Sequence, residues 1–144
     1  MRPRGPRAAD EGNAALELVI LAPVLLGLLG LVIAAGRTSV AQGSVDAAAR
    51  DAARQASLAL TPTAAQAAGE ASARAALRQD GLDCAPDVVI DTRQFSLVPV
   101  GQPATVSATV TCTVALANLA MPGLPGTAAL RASFTSPLDI YRSR

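Results

Sequence analysis

Apolar positions are laid out along this chain in three successive ways. From Leu18 to Gly36 the sequence LVILAPVLLGLLGLVIAAG is apolar on every side and carries no ionisable group. About 20 residues at a 1.5 Å rise cross a hydrocarbon core, so the run is long enough to span a membrane. After Arg37 the sequence RTSVAQGSVDAAARDAARQASLAL is alanine-rich with interleaved charge, a strong helix-forming composition that predicts the same helix continuing outward. From Asp87 onward the period becomes two. In ATVSATVTCTVAL, Val106, Ala108, Val110, Cys112, Val114 and Leu116 alternate with Thr105, Ser107, Thr109, Thr111 and Thr113, the pattern of a half-buried antiparallel strand.

Punctuation between these segments predicts the remaining elements. Thr61 as cap and Pro62 at the first helical position begin a second helix that runs through ASARAALRQD and ends at Gly81, with an apolar stripe including Ala73, Ala76 and Leu77. Val88 to Ile90 leading to Phe95 to Val98 predicts one or two strands, with VGQP as the turn, and Leu130, Ala132 and Phe134 predict a last strand. The fold class that follows is α+β. A long N-terminal membrane-spanning helix continues into an alanine-rich stalk; a second helix and a small antiparallel sheet of three to four strands follow. Asp46 with Arg50, and Asp51 with Arg54, have helical pairing distances on a face expected to be solvated.

Composition removes several function classes. Twelve basic and eleven acidic residues leave a net charge of +1, and aromatics are 2% of the chain, so neither a basic stripe nor stacking side chains favour a nucleic-acid partner. There is no histidine, which takes away the commonest general base and zinc ligand, and no serine or threonine has one to activate it. Asp83, Asp87 and Asp91 recur every four residues, but without a glycine-centred loop or a terminal glutamate they read as turn and strand-edge acids and not as a calcium site. The expectation is a protein that is not an enzyme and needs no cofactor or metal.

Arg2, Arg4 and Arg7 precede the apolar run and a lone Arg37 follows it, a bias that keeps the N-terminus cytoplasmic and places the rest outside, as a single-pass cell membrane protein. The rival reading is a secretory signal peptide cut near Ala34 and Ala35, although signal-peptide apolar regions are shorter, roughly 7–15 residues. Pro23 within the span predicts a kink that neighbouring helices tolerate. Gly27, Gly30, Ala34 and Ala35 have the spacing of a close-packing face, or reflect the general frequency of glycine in membrane helices. Cys84 and Cys112 lie on the exported side and are expected to pair with each other.

Glu17 stands one residue outside the uncharged run. A carboxylate there either snorkels to the headgroups or has a function. Together, a basic leader ending in Gly12, a glutamate five positions on, an apolar helix with Pro23 and a closing Gly36-Arg37 resemble type IV prepilins. The layout is most similar to the TadE/TadG-like pseudopilins of tight-adherence (Flp) pilus systems. Leu18 stands where that family usually has an aromatic residue, and Ala34 and Ala35 where it often has an acid.

The resemblance implies cleavage by a membrane-embedded prepilin peptidase between Gly12 and Asn13. It thereby divides the chain into a leader (1–12), a transmembrane helix (13–36), a helical stalk with the second helix (37–82) and a small β domain (83–144). It also implies a minor pseudopilin acting in pilus biogenesis beside the major pilin, a sister pseudopilin and the inner-membrane assembly platform. Cleavage would free an ammonium on Asn13, and Glu17, one helical turn on, could neutralise it within its own chain or on a neighbour. At about 4 Å and an effective dielectric near 20 such a pair gains on the order of 4 kcal/mol before desolvation. The loop LAMPGLPG adds Leu119, Met121 and Leu124, either tucked onto the sheet or forming a subunit contact. The alternative function is a secreted or membrane-anchored extracytoplasmic binding module with an ordinary export signal.

Overall fold

The computed structural model describes residues 10–119 and 125–140. Its first element, α1, runs without interruption over Asp10–Ser57. At 1.5 Å per residue, 48 residues make a rod of about 70 Å. The two halves of this helix live in different surroundings. From Leu16 to Val40 its side chains are exposed or half-buried, whereas Ala41, Val45, Ala48, Ala49, Ala52, Ala53 and Ala56 are buried. Those positions recur at three- and four-residue intervals and so fall on one face.

Helix α2, Pro62–Gln79, folds back on that face and contributes Ala65, Gly69, Ala73 and Leu77. Its start follows the expected chemistry: the Thr61 hydroxyl accepts from the Ala64 N–H at 3.2 Å, and Pro62 occupies a position where no N–H is required. Its end is a Schellman turn. Leu82 N–H donates to the Leu77 carbonyl and Gly81 N–H to that of Arg78, with Gly81 at φ +70°, a conformation that costs a residue with a Cβ but not glycine.

Three strands follow, β1 (Pro86–Asp91), β2 (Thr105–Ala115) and β3 (Thr127–Pro137), paired antiparallel in the order β1-β2-β3. Thr111 is the Cα partner of Asp87 on one side and of Arg131 on the other, so β2 is the central strand. Its alternation is realised as the sequence predicts, with Val106, Ala108, Val110, Cys112 and Val114 buried. Leu130 and Ala132 of β3 and Ile90 of β1 join them, and this face of the sheet packs on α1 and α2. Phe134, which shares their parity, stays 44% exposed. The opposite face carries the threonines and serines, with Thr109 Oγ1 donating to Ser133 Oγ at 3.1 Å. The architecture is therefore α+β: a candidate span, a second helix and a three-stranded antiparallel sheet, with residues 41–57 sharing one core with α2 and the sheet.

Two expectations need correction. Phe95 to Leu97 do not form a strand but a short helix, α3, over Arg93–Leu97. The cause is local: the Asp91 carboxylate accepts from the Arg93 backbone N–H at 3.1 Å and from its guanidinium, which ends β1 and turns the chain. Phe95 is buried all the same, and Gln94 Oε1 accepts the Thr105 N–H at 2.7 Å to start β2. Leu116 likewise leaves the strand pattern and opens a one-turn helix, α4, Leu116–Leu119. The spaced charges of α1 behave differently from the simple pairing pattern: Arg50 Nε donates to the Asp46 backbone carbonyl, and the Asp46 carboxylate accepts from Gln42 instead. Among the described residues the ion pairs are Arg74–Glu70 and Arg93–Asp91.

Cys84 and Cys112 form a disulfide that ties the approach to β1 onto the central strand, with Cα atoms 5.8 Å apart. Gly69 of α2 lies against both α1 and β1. A Cβ there would lie 2.7 Å from Ile90 Cδ1 and 3.3 Å from the Ala52 carbonyl.

Four outcomes follow for the full chain in detergent. Gly69→Leu should destabilise by about 1–3 kcal/mol through overpacking, while Gly43→Ala, where nothing lies within 4 Å, should gain up to about 1 kcal/mol of helix propensity; denaturant unfolding reads both. Reducing the disulfide, which closes 28 residues of sequence separation, should cost about 3–4 kcal/mol on the chain-entropy account. The Arg93 side chain and its backbone N–H hold the Asp91 pKa at about 2, below the ordinary 3.8. A lowered carboxylate pKa stabilises the fold above the unfolded-state value, and this contribution is lost as pH falls from 3.8 through about 2. Carboxyl NMR titration should show that midpoint in the native chain and its return upward in Arg93→Ala.

Candidate functional site at the membrane end of the long helix

Gly12 and Asn13 fall in the first turns of α1, and Glu17 lies four positions beyond Asn13, one turn along the same helix face. Glu17 is exposed. Immediately after it the helix presents an unbroken apolar cylinder in which Leu18, Val19, Ile20, Leu25, Leu29 and Ile33 are all exposed. Among the described residues nothing covers these side chains, and the run from Leu18 to Gly36 measures about 28 Å at 1.5 Å per residue. One helix among the described residues is long and apolar enough to cross a membrane, and it fits a single-pass membrane protein. A soluble protein exposing so long an apolar surface would aggregate; in lipid the same surface is satisfied.

Polar groups inside or beside this segment are handled by the helix itself. Pro23 lies within α1 and the helix continues through it, although the carbonyl of Val19 loses its usual donor. Thr38 Oγ1 donates to the Ala34 carbonyl at 2.9 Å, which satisfies the hydroxyl next to the end of the apolar run. Gly27, Gly30 and Gly36 have nothing within 4 Å of where a Cβ would sit, so the small-residue face is open within this chain.

The domain begins with no spacer. Among the described residues Ala41 is the first buried one, only four positions, or about 6 Å along the axis, after Arg37. At this junction a groove of about 370 Å³ opens between α1, the turn after α2 and α4, lined by Ile33, Arg37, Val40, Asp80, Asn118 and Leu119 among others. Sequence patterns do not reveal it, because its walls come from three segments far apart in the chain. No local signal links Arg37, Asp80 and Asn118.

Of the three loop residues picked out by sequence, Leu119 is buried at 4% exposure and belongs to the core, so its side chain is committed within the chain; Met121 and Leu124 lie outside the described residues. The disulfide unites Cys84 and Cys112 well away from Glu17 in sequence. Asp87 and Asp91 are spread along β1, and among the described residues no three His, Cys, Asp or Glu side chains gather closely enough to hold a metal.

Comparison with curated proteins and with solved structures returns no match. A family model does match, and it covers the part of the chain just described: Glu17, the apolar cylinder and most of the buried alanines after it. That model is of TadE-like proteins, it matches residues 12–54, and the chain is thus consistent with a TadE/TadG-like member of the Tad pilus systems.

Proposed function

We propose that the chain is a minor pseudopilin, cut by a prepilin peptidase between Gly12 and Asn13 and acting in the assembly of a tight-adherence pilus. The observation that carries this reading is the placement of Glu17. It stands at the edge of an uncovered apolar helix, one turn from Asn13, inside the segment that matches the TadE-like family. That family is pilus-associated and generally structural, which agrees with a chain whose described residues carry no histidine-activated nucleophile.

The physical logic is a change of charge state at a fixed place. Before cleavage Glu17 has no cationic partner one turn away in its own helix. Cleavage after Gly12 creates an ammonium on Asn13, which can pair with Glu17 of the same chain or of a neighbour. A charge pair at the edge of the bilayer lowers the cost of bringing two such helices together, so processing licenses assembly. The arginines before the span keep the leader in the cytoplasm, where the peptidase and the assembly platform act, and the disulfide-bonded domain faces outward. The partners are then the prepilin peptidase, the major pilin, a sister pseudopilin, the platform and membrane lipid. The open glycine face of the span gives those helices a place for close approach.

The mature N-terminus, read by mass spectrometry on endogenous protein, should be Asn13. A start near Gly36 supports an ordinary export signal and overturns the pseudopilin reading, as does an intact leader in functional pili. Glu17→Gln should reduce incorporation or processing by tenfold or more if a pair on the order of 1.4 kcal/mol net is lost; unchanged levels of both would remove the role given to this carboxylate.

A further inference from the structure

The groove at the foot of the domain lies where the bilayer surface must be. Taking α1 as the membrane span, as the exposed apolar cylinder requires, Ile33 sits within the apolar run and Arg37 is the first charge after it, so the guanidinium marks the headgroup level. The helix does not break between Arg37 and Ala41, which leaves no room to lift the domain away. Ile33 and Arg37 line the same groove as Asp80 of the turn after α2 and Asn118 of α4. These walls therefore stand at the height of the headgroups, and the groove is continuous with the apolar surface that the membrane covers. Val40, Ala41, Leu82 and Leu119 add apolar wall, and Ser44 a hydroxyl. Among the described residues Arg37 and Asp80 form no ion pair with each other or with another side chain.

We propose that this groove seats a zwitterionic phospholipid of the leaflet facing the domain, with the acyl chains along Ile33, the phosphate at Arg37 and the headgroup ammonium at Asp80. A cation and an anion on one apolar groove complement a headgroup that carries both charges, whereas an anionic headgroup would meet Asp80 without compensation. The bound lipid fixes the rotation of α1 relative to the bilayer plane, because only one face of the helix carries the groove. The site rests on the reading of α1 as a span, but not on cleavage at Gly12 or on any pilus partner.

The chain contains no tryptophan, so a single introduced one reports its own surroundings. Leu25→Trp in the span, Asn118→Trp in the groove and Leu60→Trp in the loop between α1 and α2 all replace exposed residues. The full chain is reconstituted in vesicles containing phosphatidylcholine brominated near either end of its acyl chains. Leu25→Trp should lose emission to bromine deep in the chain, Asn118→Trp to bromine near the headgroup, and Leu60→Trp to neither. If Asn118→Trp is as unquenched as Leu60→Trp while Leu25→Trp is quenched, the groove does not hold lipid and the proposal is overturned; a second copy of the chain seated in the groove gives that same result. If Leu25→Trp is also unquenched, the span itself is wrong and the proposal falls with it. In mixed vesicles, quenching of Asn118→Trp normalised to Leu25→Trp should be greater when the brominated component is phosphatidylcholine among unlabelled phosphatidylglycerol than in the converse mixture. An equal or reversed order overturns the assignment of Arg37 and Asp80 to a zwitterionic headgroup.

Discussion

One helix carries two different surfaces, an exposed apolar cylinder and a buried face of small side chains, and most of the structure is a consequence of how they are arranged. The half of α1 before Arg37 has an apolar surface that none of the described residues covers, and the half after it has a face of small buried side chains against which α2 and the sheet pack. Because the two halves are one unbroken rod, an orientation adopted by the first half is transmitted to the domain built on the second without a hinge. A flexible linker would average such information away; a helix of this length does not.

Building the domain on alanine has an energetic side. An alanine buries far less apolar area than leucine or phenylalanine, so each residue of the α1 face contributes little at roughly 25 cal/mol per Å². The compensation is proximity. Small side chains let α2 and the sheet come close enough that Gly69 has no room for a Cβ without displacing Ile90, and dispersion contacts accumulate at short range. The disulfide between Cys84 and Cys112 adds a constraint on the unfolded chain that a core short of aromatic side chains benefits from. On the outer face of the sheet β2 presents threonine and serine, which suit a pleated, hydrated surface, and Thr109 hydrogen-bonds to Ser133 across strands.

Much of this was legible in the residues themselves. The threonine–valine alternation specified β2 and its buried face, because a period of two admits no other regular element. Thr61-Pro62 and Gly81 bounded α2 through chemistry that acts within a few residues, and the cysteines paired as their placement suggested. Phe95 to Val98 misled because a short apolar run has no period of its own to separate strand from helix. The contact that settled it, from the Asp91 carboxylate to the following turn, is a side-chain bond invisible in hydropathy. Leu116 was read as the last member of an alternating series, but β2 ends at Ala115; the Leu116 N–H makes one more bond to the Gly126 carbonyl and the chain turns into α4.

The sequence alone settled what depends on local period and on transfer from water: a segment long and apolar enough to cross a membrane, a strand with one wet face, a helix with a capped start and an αL glycine at its end. Only the tertiary structure decided which face of the alanine-rich helix is covered. Alanine is at home buried or exposed, so its pattern carries almost no directional signal until another element docks on it. The same holds for the foot of the domain. Arg37, Asp80 and Asn118 are unremarkable where they stand in the chain, and they become neighbours around one groove because α2 turns at Gly81 and α4 follows the end of β2.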